Sequence, residues 1–339
     1  MRDDVWGFRL LSLPFALITS LFLGLVLMLD PVAAQPAPKI FRVGHLAAPG
    51  RTSDGGPPRA LREALREFGY VEGQNIVYES RFAEGQFERL PDLAIELVQL
   101  NVDVIVAQGG KATEAARRAT TTIPIVMAPA SGDAVAVGWI ATLAHPGANI
   151  TGLSDESVEL SAKRMELLRE AVPKATLIAI VWNEADYGMT LRYREIEKAA
   201  HILQVEVQAV RVRGPEDFPT AFATMTGRRP DAMFLVADAL TNVNRKQFID
   251  FAAANRIPAM YESSLIVREG GLMSYGSSPD DEFREAARYI DRIFRGEKPA
   301  NLPAAQPRRY YLTVNRKAAT ALGLTIPSSL LIRADEVVE

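Results

Sequence analysis

Residues 103–133 read DVIVAQGGKATEAARRATTTIPIVMAPASGD, and this stretch decides the fold. The run 103–107 (DVIVA) is β-branched and apolar on both faces, the pattern of a strand buried in a parallel sheet. Gln108, Gly109 and Gly110 break it. Residues 111–120 then predict a short helix, whose Ala112, Ala115, Ala116 and Ala119 allow close packing on a sheet. The next strand is 124–128 (PIVMA), and 129–133 turns out of it. Two parallel strands joined by a helix form a βαβ unit. Its ligand edge is the carboxyl end of the strands, where a helix N-terminus offers free backbone N–H groups. Gln108, Gly109, Gly110, Ala128, Pro129 and Ser131 fall at that edge.

Working outward, the same alternation recurs on both sides. Upstream, strands are expected at 40–46 and 75–80, with helices at 59–68 and 86–99. Downstream, a helix is expected near 134–144 and a strand from 149–153. Residues 156–171 then read as a long helix, with Leu160, Met165, Leu167, Leu168 and Ala171 as its buried set. The apolar run 176–182 (TLIAIVW) opens a second series. Its strands are 205–210, 232–237, 258–261 and 271–275, and its last long helix is 280–295. Residues 309–314 (RRYYLTV within 308–314) carry one more strand. Alternation repeated twice, with a break near 147–154, predicts an α/β protein of two doubly wound Rossmann-like lobes; a single (β/α)₈ barrel is the rival.

A chain of 339 residues suits two domains. The formal net charge of −3 gives no support to nucleic-acid binding. With no cysteine, disulfides, thiolate nucleophiles and Cys-held metals are excluded. Arg2 and Arg9 precede an apolar run at 10–29, and Val32-Ala33-Ala34 supplies the small residues of a cleavage site. That is the layout of a secretory signal peptide over 1–34; an uncleaved membrane anchor is the alternative.

The three histidines show no metal-ligand spacing. His45, at the end of the first strand, is the one at the ligand edge, either as a solute contact or as a strand-end residue bonded to backbone. The run 108–111 (QGGK) has the spacing of neither a Walker loop nor GxGxxG. It reads as a tight turn, or as a helix N-terminus receiving a carboxylate. Asp280, Asp281 and Glu282 open a predicted helix, where the helix dipole accounts for them. Four strand ends in the second half carry polar groups: Asn183, Asp238, Tyr261-Glu262 and Ser274-Tyr275. Gathered at one sheet edge they would line a cleft, with Asp238 for an ammonium group and Tyr261 and Tyr275 stacked on an apolar body.

Longer stretches carry a resemblance. They are LREALREFGYVEGQNI (61–76), RLPDLAIELVQLNVDVIVAQGGKATEAARRATTTIPIV (89–126), HPGANITGLS (145–154), KRMELLREAVP (163–173), GGLMSYG (270–276) and TALGLTIPSSLLIRADEVVE (320–339). With these the chain resembles the ABC transporter substrate-binding proteins of the tryptophan/tyrosine transport type, a family with the type I periplasmic binding-protein fold. The resemblance implies a periplasmic receptor without catalysis or cofactor. It captures a small solute, an amino acid or other small carboxylate, and serves an inner-membrane permease and its ATPase; a sensory receptor of the same fold is the alternative. It implies a first lobe of 40–150 plus 279–297 and a second of 151–275 plus 300–339. Three segments, near 149–153, 275–278 and 299–307, would form the hinge of a monomer. The chain departs from the family pattern at Gly132-Asp133-Ala134-Val135, where Asp-Pro-Val is usual, and at Ala239, where Pro is usual. The first strand also ends unusually, in His45-Leu46-Ala47-Ala48-Pro49. All three departures lie at the ligand edge.

Overall fold

The computed structural model describes residues 39–128, 133–154 and 157–339. The segment 1–34, expected to be a signal peptide, and Pro129 and Ser131 lie outside them. No helix among the described residues is long and apolar enough to cross a membrane.

The first sheet has the order β2-β1-β3-β4-β5 and is parallel throughout. Its strands are β1 (Phe41–Ala47), β2 (Ile76–Phe82), β3 (Val104–Gln108), β4 (Ile125–Met127) and β5 (Ile150–Gly152). Helices α1 (Arg59–Glu67), α2 (Leu90–Gln99) and α3 (Gly110–Ala119) connect them. Side chains alternate across a strand, so β3 feeds two cores. Val104 and Val106 pack with Leu61 and Leu65 of α1. Ile105 and Ala107 pack with Leu93 and Leu97 of α2 and Ala112 and Ala116 of α3. Both faces of the strand are therefore covered, which is why its sequence is apolar without alternation.

The second sheet has the order β12-β11-β10-β9-β8-β6-β7 and is parallel except where β10 meets β11. After α4 (Ser157–Ala171) come β6 (Leu177–Asn183), α5 (Tyr187–Ile202), β7 (Glu206–Val212), α6 (Phe218–Gly227) and β8 (Ala232–Leu235). Two helices, α7 (Ala239–Val243) and α8 (Arg245–Ala254), lead to β9 (Ala259–Tyr261); α9 (Ser264–Arg268) leads to β10 (Met273–Gly276). Helix α10 (Pro279–Phe294) returns to the first lobe, where Phe283, Ala286 and Ile290 close the core over Val104 and Val106. The tail adds β11 (Tyr311–Asn315), α11 (Arg316–Ala321), α12 (Ser328–Arg333) and β12 (Glu336–Val338) to the second lobe. Ile178, Ile180 and Trp182 of β6 face α4 and α5, while Ala179 and Val181 face α6 and α8.

Two separate sheets exclude the single barrel. Three details differ from the sequence reading. The helix expected near 134–144 is a series of turns and bends; Gly138, in its middle, takes φ +75°, a left-handed conformation that interrupts a right-handed helix. The lobe boundary expected at 150/151 falls inside β5, which pairs with β4 of the first sheet. Residues expected in the second lobe from 300 onward stay with the first as far as 305: Leu302 and Ala304 pack in its two cores, and Ala305 N–H donates to Gly152 O. The tail crosses only after that.

Candidate ligand-binding site

The carboxyl ends of the two sheets face one another across a cavity of about 310 Å³, within the size range of small-molecule sites. On the first lobe its wall is the end of β3 and the turn into α3. Gln108 is the last residue of the strand, and Gly109 has φ +83°, a conformation open to glycine that aims the chain into the helix. Behind Gln108 stands His45, fully buried, with Phe82 and Phe283 approaching its ring edge-on at 5.5 and 6.5 Å. Its Nε2 lies 3.2 Å from Gln108 Oε1. Burial lowers the imidazole to about 4, against a smaller opposing effect of that hydrogen bond. The ring is neutral at pH 7.

The second-lobe wall carries charge. Arg164 of α4 and Arg192 of α5 both reach Glu262, which follows β9; side-chain exposures are 3%, 2% and 7%. Arg164 Nη1 is 3.3 Å from Glu262 Oε2, and Arg192 Nη2 pairs with the same oxygen. Arg164 Nε donates to Tyr275 O at 2.7 Å, and Arg192 Nη1 donates to Ala237 O at 2.9 Å. Glu262 Oε1 accepts from Ala237 N–H at 3.3 Å. Buried charges persist only when paired, and each guanidinium of this cluster is paired with Glu262 and bonded to a backbone carbonyl. From α10 of the first lobe, Glu282 adds another buried carboxylate to the cavity lining, bonded by Ser277 Oγ. The lobes also touch beside the cavity. Phe87 of the first lobe packs against the cores of both, and Val243 of α7 sits 3.0 Å from where a Cβ on Gly85 would stand.

A two-lobed α/β frame with a polar cavity between the sheets belongs to receptors of small solutes as well as to enzymes, so the comparisons decide the family. The family model for "ABC transporter substrate binding protein" matches residues 58–338. The chain belongs to that family. The substrate-binding protein is similar to the "Tyrosine-binding protein" of Clostridioides difficile, 24% identical over 278 residues, covering 81% of this chain and 79% of the relative. Among solved structures it resembles a conserved domain protein of Vibrio cholerae at 25% identity, with TM-score 0.81 over 88% of this chain and all of the other. It equally resembles an ABC domain from Streptococcus pneumonia in complex with L-Trp, at 23% identity and TM-score 0.81, with coverage of 88% and 100%.

Only some of the residues expected at the ligand edge line the cavity of this substrate-binding protein. Gln108, Gly109 and Asp238 do; Gly110 begins α3 beside them. His45 does not line the cavity; it lies behind the wall, bonded to Gln108. Ala128 is buried in the core under α1 and α10. Asp238 is spoken for: it caps α7, Oδ1 accepting Thr241 N–H at 2.9 Å, and Oδ2 accepts Asn183 Nδ2–H at 2.6 Å. Burial pushes its carboxyl up, and these hydrogen bonds oppose the shift. Asn183 thus supports the floor from below. Tyr261 points away. Along β9, Met260 joins the α4–α5 side and Tyr261 the α6–α8 side, where burial pushes its phenol up. Tyr275 leans on the core, and the ring that reaches the wall is its neighbour Tyr310, 6.1 Å away.

The residues missed are Arg164 and Arg192, and their signal was present. On α4, Arg164 falls in phase with buried Leu167, Leu168 and Ala171; on α5, Arg192 falls in phase with Met189, Ile196 and Ala199. A lone arginine on the apolar stripe of an amphipathic helix marks a buried charge that needs a partner. Glu282, assigned to the helix dipole, does sit in the first turn of α10, but it is also buried and lines the cavity, which the dipole does not account for.

Proposed function

We propose that the protein is the extracytoplasmic solute-binding component of an ABC importer. It captures a small solute bearing a carboxylate, in the first instance an amino acid with an aromatic body, and hands it to an inner-membrane permease driven by its ATPase. Residues 1–34 direct export to the periplasm and are removed there, leaving a monomer that turns over no substrate. The observation that carries this reading is the cavity itself: two buried guanidiniums, Arg164 and Arg192, on one wall, and the N-terminus of α3 behind Gln108 and Gly109 on the other. Both favour a carboxylate. In this reading Glu282, not Asp238, takes the ammonium group, because it is a buried carboxylate on the cavity lining, whereas both oxygens of Asp238 are held by Thr241 and Asn183. Tyr310 covers the body. The names of the relatives, one tyrosine-binding and one holding L-Trp, point to the same class.

A thermal-shift screen with L-tyrosine, L-tryptophan and small carboxylic acids tests it. A ligand at a hundred times its Kd stabilises by about 2.7 kcal/mol, a shift of several degrees. No shift with any of them at millimolar concentration overturns the assignment.

A further inference from the structure

The buried His45–Gln108 pair has a consequence for what the first-lobe wall recognises, and it rests on the solute-binding reading above. In β1 and β3, His45 pairs with Val106, so Gln108 is its diagonal neighbour on the same face of the sheet. Their one polar contact, Nε2 to Oε1 at 3.2 Å, has two chemical readings. In the first, the imidazole carries its proton on Nε2 and donates to the amide oxygen; Nδ1 is then a bare lone pair. In the second, the amide is turned over, its NH₂ donates to Nε2, and the proton sits on Nδ1. Nδ1 is buried and has no hydrogen-bond partner among the described residues. Phe82 and Phe283, which flank the ring, offer no oxygen or nitrogen acceptor, and the buried hydroxyl of Ser80, which pairs with His45 on β2, makes no hydrogen bond to it. The second reading therefore strands an N–H donor in the core, and the first strands only a lone pair. Orphaned buried N–H groups are much the rarer of the two. A doubly protonated ring would place a charge in the same apolar cage.

We propose that His45 is a positioning residue: its Nε2–H holds the amide oxygen of Gln108, which leaves the amide NH₂ for the cavity and makes this wall a donor site for a carboxylate oxygen of the solute. Gly109 and the start of α3 extend the same donor surface. The residue pair thus selects an acceptor on the ligand, while its charge comes from the opposite wall.

Nitrogen NMR on the ligand-free protein reads the wiring directly. The expected result is a neutral His45 with the proton on Nε2 at pH 7; a proton on Nδ1, or an imidazolium, overturns the proposal. Calorimetry then reads the consequence with L-tyrosine and tyramine, which share a body and differ in the carboxylate. His45→Phe keeps the ring and removes the donor. It should weaken tyrosine by roughly tenfold and leave tyramine unchanged. Gln108→Glu, which replaces the NH₂ by an oxygen, should weaken tyrosine further. Equal losses for both probes would make His45 merely structural and refute the positioning role. If the unmodified protein binds neither probe, the solute assignment fails, and the tautomer still decides this inference.

Discussion

Replacing Glu262 by Gln isolates the buried charge cluster. The substitution keeps the shape and one acceptor oxygen but removes the charge that Arg164 and Arg192 share. Both guanidiniums are nearly inaccessible to water, and each loses its ion pair with Glu262. The new amide NH₂ also meets a guanidinium where an oxygen stood. Removing one member of a buried ion pair costs about 3–5 kcal/mol, far more than the ~0–1 kcal/mol of an exposed pair. For a chain of this size the expected fall in Tm is roughly 5–10 °C. Urea unfolding, followed by circular dichroism on Glu262→Gln and the unmodified protein, gives the free-energy difference. Calorimetry with L-tyrosine on the folded variant gives the second half of the test. If Glu262 is a counter-ion and the arginines bind the carboxylate, affinity should hold or tighten as the positive potential rises. Arg192→Met, the comparison variant, should lose both stability and affinity. A loss of less than about 1 kcal/mol for Glu262→Gln would mean the cluster is not desolvated as described, and the reasoning would fail.

Three further outcomes follow from named contacts. His45 is depressed from 6.5 to about 4 by burial, so the unfolded chain binds its proton more readily; its contribution is complete above pH 6.5 and lost as pH falls toward 4, about 3 kcal/mol in all, and urea midpoints at pH 7 and 4.5 should show this slope shrinking in His45→Phe. Asp238→Ala removes the cap of α7 and the partner of Asn183, costing about 1–2 kcal/mol, whereas Asp238→Asn keeps the cap; tyrosine affinity per folded molecule should barely change in either, and a hundredfold loss would restore Asp238 as the ammonium site. Phe87→Ala removes the apolar contact shared by the two cores, so small-angle scattering should give the unliganded variant a larger radius of gyration; an unchanged radius would show that Phe87 does not hold the lobes together.

The sequence by itself determined the two-lobed α/β architecture, because a strand covered on both faces and a helix covered on one leave local periodic records. The run VIVA at 104–107 is apolar throughout because α1 and α10 cover one face and α2 and α3 the other. It also determined that Gln108 and Gly109 stand at the carboxyl edge of the sheet, where they line the cavity, since the end of a parallel strand and the start of its helix are neighbours in the chain. What only the tertiary structure decided is which polar strand ends face the cavity and which are consumed inside the protein. Asp238 and Tyr261 look like site residues by position, yet one caps a helix three residues on and the other turns to the far face of β9. A single strand gives the alternation of its side chains but not which face meets which core; that depends on how the whole sheet is covered. The arginine cluster depends on this even more. Arg164, Arg192 and Glu262 come from three elements separated by 28 and 70 residues, and their contact exists only because the parallel sheet brings the helix after β5, the helix after β6 and the end of β9 to one edge.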